Sequence, residues 1–278
     1  MSVDTLASVN LYLDYADEWV HSVFDPMHLS GIGNYWRVTA VSLIAHVVYY
    51  KLVPIVSMLL LPKVYGRMTK SEKQSWNIGF ISLPHTIFDS WLIISHFNSP
   101  ALNGNRMDGY DTHFEQFLPW ALGYYIWDMF ICLTNLRSYG FTYLIHAFLG
   151  VFGILVLASR QLQFYAIPFL LPELSSVFLN IRHIMKSARL SDSLVYKANF
   201  VLFLITYVGI RIGYEMYQSF GLAVAVYRGE TGNVYYPFAV YFAVLGITLT
   251  VLNFIWLKQI INAVQYMFGK SKDSKKTE

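Results

Sequence analysis

The chain has 278 residues, of which 55% are hydrophobic, 17% are aromatic and only 13% are charged. The charged fraction is about half that of an ordinary soluble domain, which disfavours a soluble globular protein and indicates a membrane protein. The net charge of +3 is no sign of a nucleic-acid partner, because the basic residues sort by predicted membrane side rather than along one face.

The first predicted element is a lumenal N-terminal segment over residues 1–37. It is acidic and amphiphilic, and it lacks the basic start followed by a short apolar run that marks a cleavable signal peptide. We therefore expect the first transmembrane span itself to direct insertion.

Seven windows are long and apolar enough to cross a bilayer core of roughly 30 Å. They lie at 38–61, 76–97, 117–136, 140–158, 162–181, 197–218 and 238–266. The strict alternation of barrel strands is absent. The sequence therefore predicts an all-α polytopic bundle of about seven transmembrane helices, in which residues 38–74 supply the first helix and a cytosolic loop.

The basic residues predict the orientation of this bundle. With seven spans, 13 of the 20 Lys and Arg residues fall on one side and 4 on the other. Because short loops rich in Lys and Arg stay cytosolic, the N-terminus is predicted to be lumenal and the C-terminus cytosolic.

The polar tail at residues 269–278 is predicted to be a disordered cytosolic end. Its Lys275 and Lys276 resemble the dilysine signal by which the COPI coat returns membrane proteins to the endoplasmic reticulum. The alternative is a basic tail that only enforces topology. We expect an endoplasmic reticulum membrane protein, since the predicted orientation puts the signal in the cytosol.

Polar and ionisable side chains occur inside most of the spans. A charge at this depth costs from about 2.5 kcal/mol upward, so such residues usually face a partner or a watery cavity. They are His46 and Lys51, His85 and Asp89, Tyr124 and Asp128, His146, Glu173 and Asn180, and Arg211 and Glu215.

Helical spacing places several of these residues on common faces. The faces are formed by Ser82, His85, Asp89 and His96; by Tyr124, Asp128 and Asn135; and by Glu173, Ser176 and Asn180. Arg211 and Glu215 are four residues apart, a spacing suited to a pair. We expect these faces to turn towards a common interior.

Each polar residue also has a structural interpretation. A single carboxylate such as Asp128 or Glu173 can join helices, either protonated or paired with Lys51 or Arg211. Arg182, His183 and Lys186 lie at a predicted cytosolic helix end, where they are expected to reach lipid headgroups. Pro168 and Pro172 flank the turn before Glu173 and predict a kink there.

Three stretches resemble the TLC domain in order and spacing. They are WALGYYIWDMF at 120–130, YLIHAFLGVFGIL at 143–155 and LLPELSSVFLNIRH at 170–183. The resemblance covers roughly residues 75–268 and implies six helices around a central cavity. The positions that match the family motifs are Gly123, Tyr124, Tyr125, Asp128, His146, Glu173, Leu174, Ser175, Asn180 and Arg182.

One departure from the family pattern bears on activity. Ceramide synthases carry two adjacent histidines and a later run of paired acidic residues, whereas this chain has Ile145 at the first histidine position and no acidic run. Base catalysis on a sphingoid amine needs a titrating group with an orienting partner, so ceramide synthesis is not expected. The single histidine is similar to the branch without ceramide synthase activity, which includes uncharacterised fungal members and is linked to lipid homeostasis.

Three functions remain open at the level of sequence. The first, which we favour, is non-catalytic binding of a membrane lipid or acyl chain in an intramembrane cavity. Its predicted lining residues are Tyr124, Asp128, His146, Glu173, Ser176, Asn180, His85, Asp89 and Arg211. The second is a lipid acyltransferase or hydrolase with His146 as base and Asp128 as its partner, using acyl-CoA attracted by basic loops. The third is a cargo receptor of the endoplasmic reticulum. No cofactor and no metal are expected, because no Gly-rich phosphate loop or Cys/His ligand spacing is present.

Overall fold

The computed structural model describes residues 3–274, and the surroundings of side chains from residue 11 to residue 265. Between residues 3 and 274 the chain forms helices and no β-strand. An N-terminal helix, Val3–Phe24, precedes the membrane bundle. Lys275 and Lys276 of the predicted retrieval signal lie outside the described residues.

Seven helical segments of the described chain are long and apolar enough to cross a membrane. Spans 1 to 7 are Ser30–Leu60, Lys70–His96, Thr112–Thr134, Phe141–Ala158, Gln163–Ser187, Leu194–Tyr227 and Tyr236–Gln265. This confirms the predicted all-α polytopic bundle. Span 1 begins eight residues before the predicted position 38, because a helix that leaves the hydrocarbon core continues through polar residues such as Asn34 and Arg37.

The extended start of span 1 holds the N-terminal helix. Trp36 Nε1 donates a hydrogen bond of 2.7 Å to Asp17 Oδ1, and the Arg37 guanidinium pairs with the same carboxylate. The hydrogen bonds from Trp36 and Arg37 lower the pKa of Asp17 below its ordinary value of 3.8. On another face of this helix, Tyr12, Tyr15 and Trp19 are exposed, which is typical of a helix at a membrane interface.

Small residues set the closest helix contacts. Span 1 packs along span 3, and Gly123 of span 3 lies directly against Ser42 of span 1. Span 2 packs along span 5, where Gly79 lies against Ile184 and the backbone of Asn180. In a bilayer the apolar lipid gives no hydrophobic drive for helix association, so such close packing is what holds spans together.

Span 5 is interrupted where the prolines predicted a kink. A 3₁₀ turn, Gln163–Tyr165, and a short helix, Ala166–Leu170, lead to the main helix, Glu173–Ser187. The carbonyl of Pro172 accepts hydrogen bonds from Ser175 Oγ at 2.7 Å and from Arg211 Nη2 at 3.1 Å. The same carbonyl also accepts from the backbone N–H of Ser175 at 3.0 Å, so the start of the main helix is held both by its own backbone and by Arg211 of span 6.

Span 6 contains a π-helix, Tyr207–Glu215. Its buried residues are Tyr207, Arg211 and Glu215, and the buried residues Phe203 and Ser219 extend the same spacing of four on either side. In an α-helix, steps of four residues turn by about 40° each and leave one face. The wider π-helix keeps these positions aligned, so Arg211 stays directed towards span 5. Long π segments are rare and occur often at functional sites.

Candidate functional site

A cavity of about 260 Å³ lies between spans 4, 5, 6 and 7. We call it the polar cavity. Its lining residues are Tyr143, His146, Ser175, Ser176, Leu179, Arg182, His183, Phe200, Phe203, Tyr207, Arg211, Trp256, Gln259, Ile260 and Ala263. Two arginines and two histidines face it, but no Asp or Glu belongs to this lining. The wall is therefore cationic on one part and aromatic or aliphatic on the rest.

Arg211 is the most firmly held cation of the polar cavity. Its Nε donates to Ser175 Oγ at 2.9 Å, and its Nη2 donates to Ser176 Oγ at 3.0 Å and to the Pro172 carbonyl. The residue is buried, with 7% of its surface exposed. These bonds fix the guanidinium plane against span 5, so Arg211 presents its charge from a preorganised position.

Arg182 corrects the sequence interpretation of its helix end. It was expected to reach lipid headgroups, but its guanidinium carbon lies 5.0 Å from the ring centroid of Phe200 and 5.9 Å from that of Tyr196, and the residue lines the polar cavity. Its Nε is buried without a hydrogen-bond partner among the described residues. His183 lines the same cavity. Aromatic neighbours on span 6 hold the cation inside the bundle through cation–π contact.

His146 lines the polar cavity and also a second, smaller cavity. Its ring meets the ring of Trp256 edge-on, with centroids 5.5 Å apart. Within the described part of the chain, His146 Nδ1 and Trp256 Nε1 are buried without hydrogen-bond partners. Unpaired buried polar atoms of this kind cost about 1–3 kcal/mol each, which indicates a place where a ligand or water completes the structure.

A second, smaller cavity of about 40 Å³ lies behind His146, and we call it the apolar cavity. Its lining residues are Tyr125, His146, Leu149, Gly150, Gly153, Ile154, Leu157, Phe169, Leu170, Glu173, Phe242, Leu245 and Leu249. Glu173 is the one carboxylate in this lining. The absence of side chains at Gly150 and Gly153 leaves part of the space, and the remaining wall is suited to hydrocarbon.

A separate set of polar residues packs between spans 1, 2 and 3. We call it the buried histidine cluster, and it consists of His46, Ser82, His85, Asp89, Tyr124 and Tyr125. His85 Nε2 lies 3.0 Å from Asp89 Oδ2, a charge-pair distance at an angle unsuited to a hydrogen bond. Tyr125 donates to the same Asp89 oxygen at 3.1 Å. The ring of Tyr124 stacks on His85, with centroids 3.6 Å apart.

The cluster is closed by contacts on both sides. Tyr124 donates to Ser82 Oγ at 2.9 Å, and His46 Nδ1 lies 2.8 Å from the carbonyl of Ser42. His85 and Asp89 have side chains only 1% and 0% exposed. Except for Tyr125, which reaches the apolar cavity, these residues line neither cavity.

The structure places the predicted site residues in the cavity linings, in the buried histidine cluster, or outside both. His146, Ser176 and Arg211 line the polar cavity, and Glu173 lines the apolar one. Tyr124, His85 and Asp89 belong to the buried histidine cluster. Asp128, on span 3, is partly buried within electrostatic reach of Glu173 and His85 but lines neither cavity. Asn180 is buried where span 5 meets span 2.

Arg211 and Glu215, which are spaced to pair, have different partners. Arg211 faces span 5, whereas Glu215 Oε2 accepts a hydrogen bond of 3.1 Å from Asn253 Nδ2 of span 7. Both residues are buried. The two side chains therefore join span 6 to two different neighbours.

Sequence reasoning missed Arg182 and Trp256 as lining residues. A signal was present for Arg182, since it follows Ser175 by seven residues and Leu179 by three, on one helical stripe. A weaker signal was present for Trp256, since it lies three residues after Asn253 and three before Gln259. Across the described residues, no group of three His, Cys, Asp or Glu is close enough to hold a metal ion.

Comparison with known proteins places these features in context. The family model described as the TLC domain matches residues 74–262. An uncharacterised TLC domain-containing protein of Schizosaccharomyces pombe is 20% identical over 249 residues, which cover 90% of this chain and 85% of that protein. TLC domain-containing protein 1 of Gallus gallus is 28% identical over 148 residues, covering 52% of this chain and 58% of that protein. Topoisomerase I damage affected protein 4 of Saccharomyces cerevisiae is 23% identical, covering 73% of this chain and 74% of that protein.

Proposed function

The chain belongs to the TLC domain family, and from this premise we propose that it acts in membrane lipid homeostasis by binding a lipid or acyl chain inside the bundle. The observation that carries the proposal is the shared wall at His146, where a polar cavity of about 260 Å³ adjoins an apolar one. A lipid has the same two parts, a polar headgroup and a hydrocarbon chain.

The lining chemistry supports this arrangement. The polar cavity offers hydroxyl, imidazole and guanidinium groups, while leucines and phenylalanines form most of the apolar wall. Small-molecule sites generally combine an apolar lining with a few well-placed polar groups. We assign headgroup binding to His146, Ser176 and Arg211. Glu173 lies in the apolar cavity, which would hold the hydrocarbon chain. Tyr124, His85, Asp89, Asp128 and Asn180 then support the bundle around the site.

A cavity-filling variant tests the proposal. Ala263 lines the polar cavity, whereas Ala45 is exposed on the outer face of span 1. In cells that lack the protein, we expect a broad shift in lipid chain saturation without accumulation of one precursor. Wild type and Ala45→Trp should restore the lipid profile, and Ala263→Trp should not, as measured by lipidomics. If Ala263→Trp restores the profile fully, the cavity is not the working site.

Location and orientation form part of the proposal. We propose an endoplasmic reticulum membrane protein with a lumenal N-terminus and a cytosolic C-terminus that contacts the COPI coat through Lys275 and Lys276. The basic loops support the orientation, and the tail sequence supports the retrieval signal. Replacing both lysines by serine should move the protein to later secretory compartments in fluorescence microscopy. Unchanged location would contradict retrieval through this tail.

The acyltransferase or hydrolase alternative needs an acid that orients His146. In the described residues His146 Nδ1 has no hydrogen-bond partner, and Asp128 lies on span 3 outside both cavity linings. This geometry favours binding over base catalysis. Loss of one lipid species with accumulation of its precursor, reproduced by His146→Ala, would instead support an enzyme. Misplaced secretory proteins with normal lipids would support a cargo receptor.

A further inference from the structure

We propose that the polar cavity binds the phosphate group of an acylated ligand through Arg182 and Arg211. The inference rests on the proposed lipid-binding function and specifies its ligand class. Two sources share this chemistry, namely a glycerophospholipid with an exposed phosphate and the thioester of a fatty acid with coenzyme A. Both join a phosphate to a hydrocarbon chain.

The charge balance of the cavity is the first argument. Arg182 and Arg211 both line it, and the lining contains no carboxylate. The ion pairs found among the described residues include neither arginine. The carboxylates within reach of Arg211 are Glu173 and Glu215, of which the first lines the other cavity and the second accepts from Asn253. Two cations at membrane depth are costly unless an anion joins them.

The geometry of Arg211 is the second argument. Its Nε and Nη2 are held by Ser175, Ser176 and the Pro172 carbonyl. Over the part of the chain that the structure describes, Nη1 has no such partner. A guanidinium held on one edge keeps donors on another edge for a planar or tetrahedral oxyanion.

The unpaired donors of the cavity wall are the third argument. Arg182 Nε and Trp256 Nε1 are buried without partners in the described chain, and both residues line the cavity with Arg211. Both of these groups can only donate hydrogen bonds. A phosphate supplies several strong acceptors at once, whereas an ester or hydroxyl supplies one or two. The wall is therefore better matched to phosphate than to a neutral headgroup.

The position along the bundle fits an amphiphile. Arg182 and His183 lie near the end of span 5, and Phe200 lies near the start of span 6, beside the loop that carries Arg189. Beyond Arg211 the walls become those of the apolar cavity at His146. A phosphate at the basic end would thus leave its acyl chain directed inward. The basic loop adds long-range attraction for an anion.

Binding of three probes by the purified full chain tests the inference. The probes are dioleoyl phosphatidic acid, oleoyl-CoA and dioleoylglycerol, each measured by native mass spectrometry from the same detergent. We expect at least one phosphate-bearing probe to bind about tenfold more tightly than dioleoylglycerol. Arg182→Gln should remove this preference without weakening the binding of dioleoylglycerol. Tighter binding of phosphatidic acid identifies a glycerophospholipid as the ligand, and tighter binding of oleoyl-CoA identifies a coenzyme A thioester.

Two further variants separate the possible failures. Arg137→Gln, at an exposed position that lines neither cavity, should retain the phosphate preference. Arg211→Gln should reduce the phosphate preference, and a melting curve verifies that this variant folds. If Arg211→Gln unfolds, the result for Arg182→Gln decides whether the phosphate site exists. Equal binding of all probes, unaffected by Arg182→Gln but blocked by Ala263→Trp, would overturn the phosphate site and leave lipid binding intact. No binding of any probe would overturn both proposals.

Discussion

The buried histidine cluster and the polar cavity contain the same kinds of side chain at membrane depth, but they are built in opposite ways. In the cluster, His85 and Asp89 are in contact, and Tyr124 and Tyr125 cover them by stacking and hydrogen bonding. In the cavity, Arg211 is tied on one edge only and faces a void of about 260 Å³. Polar residues in a span therefore do not by themselves indicate a binding site.

The two regions also differ in how completely their side chains are packed. The cluster region contains Leu92 and Ile93, both fully buried, together with close contact between Gly123 and Ser42. Around the cavity, spans 5, 6 and 7 leave space that a ligand can fill. Spans 1 to 3 therefore enclose the packed cluster, whereas spans 4 to 7 enclose the polar cavity.

The largest expected effect comes from breaking the buried pair. Asp89→Ala leaves His85 and the Tyr125 hydroxyl without their partner, which should lower the free energy of unfolding by about 3–5 kcal/mol. Asp192→Ala, in an exposed loop, should change it little. Denaturation of the purified protein by increasing SDS measures both variants. If Asp89→Ala unfolds like the wild type, the cluster does not stabilise spans 1 to 3.

Replacing a leucine by alanine should lower the free energy of unfolding by different amounts in the two regions. Leu92→Ala removes a fully buried side chain and should cost about 2–5 kcal/mol, because it creates a new cavity. Leu179→Ala only enlarges an existing cavity and should cost about 1 kcal/mol. Thermal melts of both proteins compare them directly. Equal losses would contradict the contrast between a packed and an open region.

A pair of glycine substitutions should give a smaller effect. A methyl group at Gly123 meets Ser42 Oγ at 2.5 Å and the Leu43 backbone nitrogen at 2.7 Å, so Gly123→Ala should cost about 1–3 kcal/mol by forcing spans 1 and 3 apart. A methyl group at Gly221 meets nothing within 4 Å, and Gly221→Ala should be neutral or stabilise its helix by up to about 1 kcal/mol. Changes in melting temperature of opposite sign in the two variants would support this prediction. A Gly123→Ala variant that melts like the wild type would refute it.

The smallest effect is expected at the entrance to span 3, outside the membrane core. Burial raises the pKa of Asp111, but hydrogen bonds from Ser99 Oγ and from the backbone N–H groups of Phe114 and His113 outweigh it and leave the pKa below 3.8. A lowered pKa stabilises the fold above the unfolded value and loses that contribution as pH falls through the folded one. Asp111→Asn should therefore melt slightly earlier at neutral pH.

Acid titration checks this last prediction. The difference in melting temperature between wild type and Asp111→Asn should begin to shrink below about pH 4, near the unfolded pKa, and should vanish once the pH has fallen through the lowered pKa of folded Asp111. Parallel curves from neutral pH to about pH 3 would show that the charge of Asp111 does not contribute. Because Asp111 caps the helix that enters span 3, the measurement also reports on the packed half of the protein.

Hydropathy alone predicted the seven spans, because the length of an apolar window is set by the bilayer and needs no knowledge of neighbours. It placed the start of span 1 late, since residues 30–37 are amphiphilic but continue the helix. Helical spacing also predicted that polar residues share faces, and Ser82, His85 and Asp89 are indeed all buried.

Spacing could not tell which face meets which span. Asp89 takes its hydrogen bond from Tyr125 of span 3, and Arg211 reaches Ser175 of span 5, both contacts between residues 36 positions apart. Nothing local to either residue specifies its neighbour. The division of the polar residues into a closed cluster and an open cavity therefore required the structure.

The π-helix at Tyr207–Glu215 also limits which changes of chain length span 6 tolerates. Removing one residue there would let the backbone close into ordinary α-helical geometry, so the local hydrogen bonding would survive the deletion. The side chains there would then follow the tighter α-helical step of about 100° per residue, so Arg211 and Glu215 would no longer keep the directions in which they now face spans 5 and 7. The length of this segment is thus as strict a requirement as the identity of its arginine.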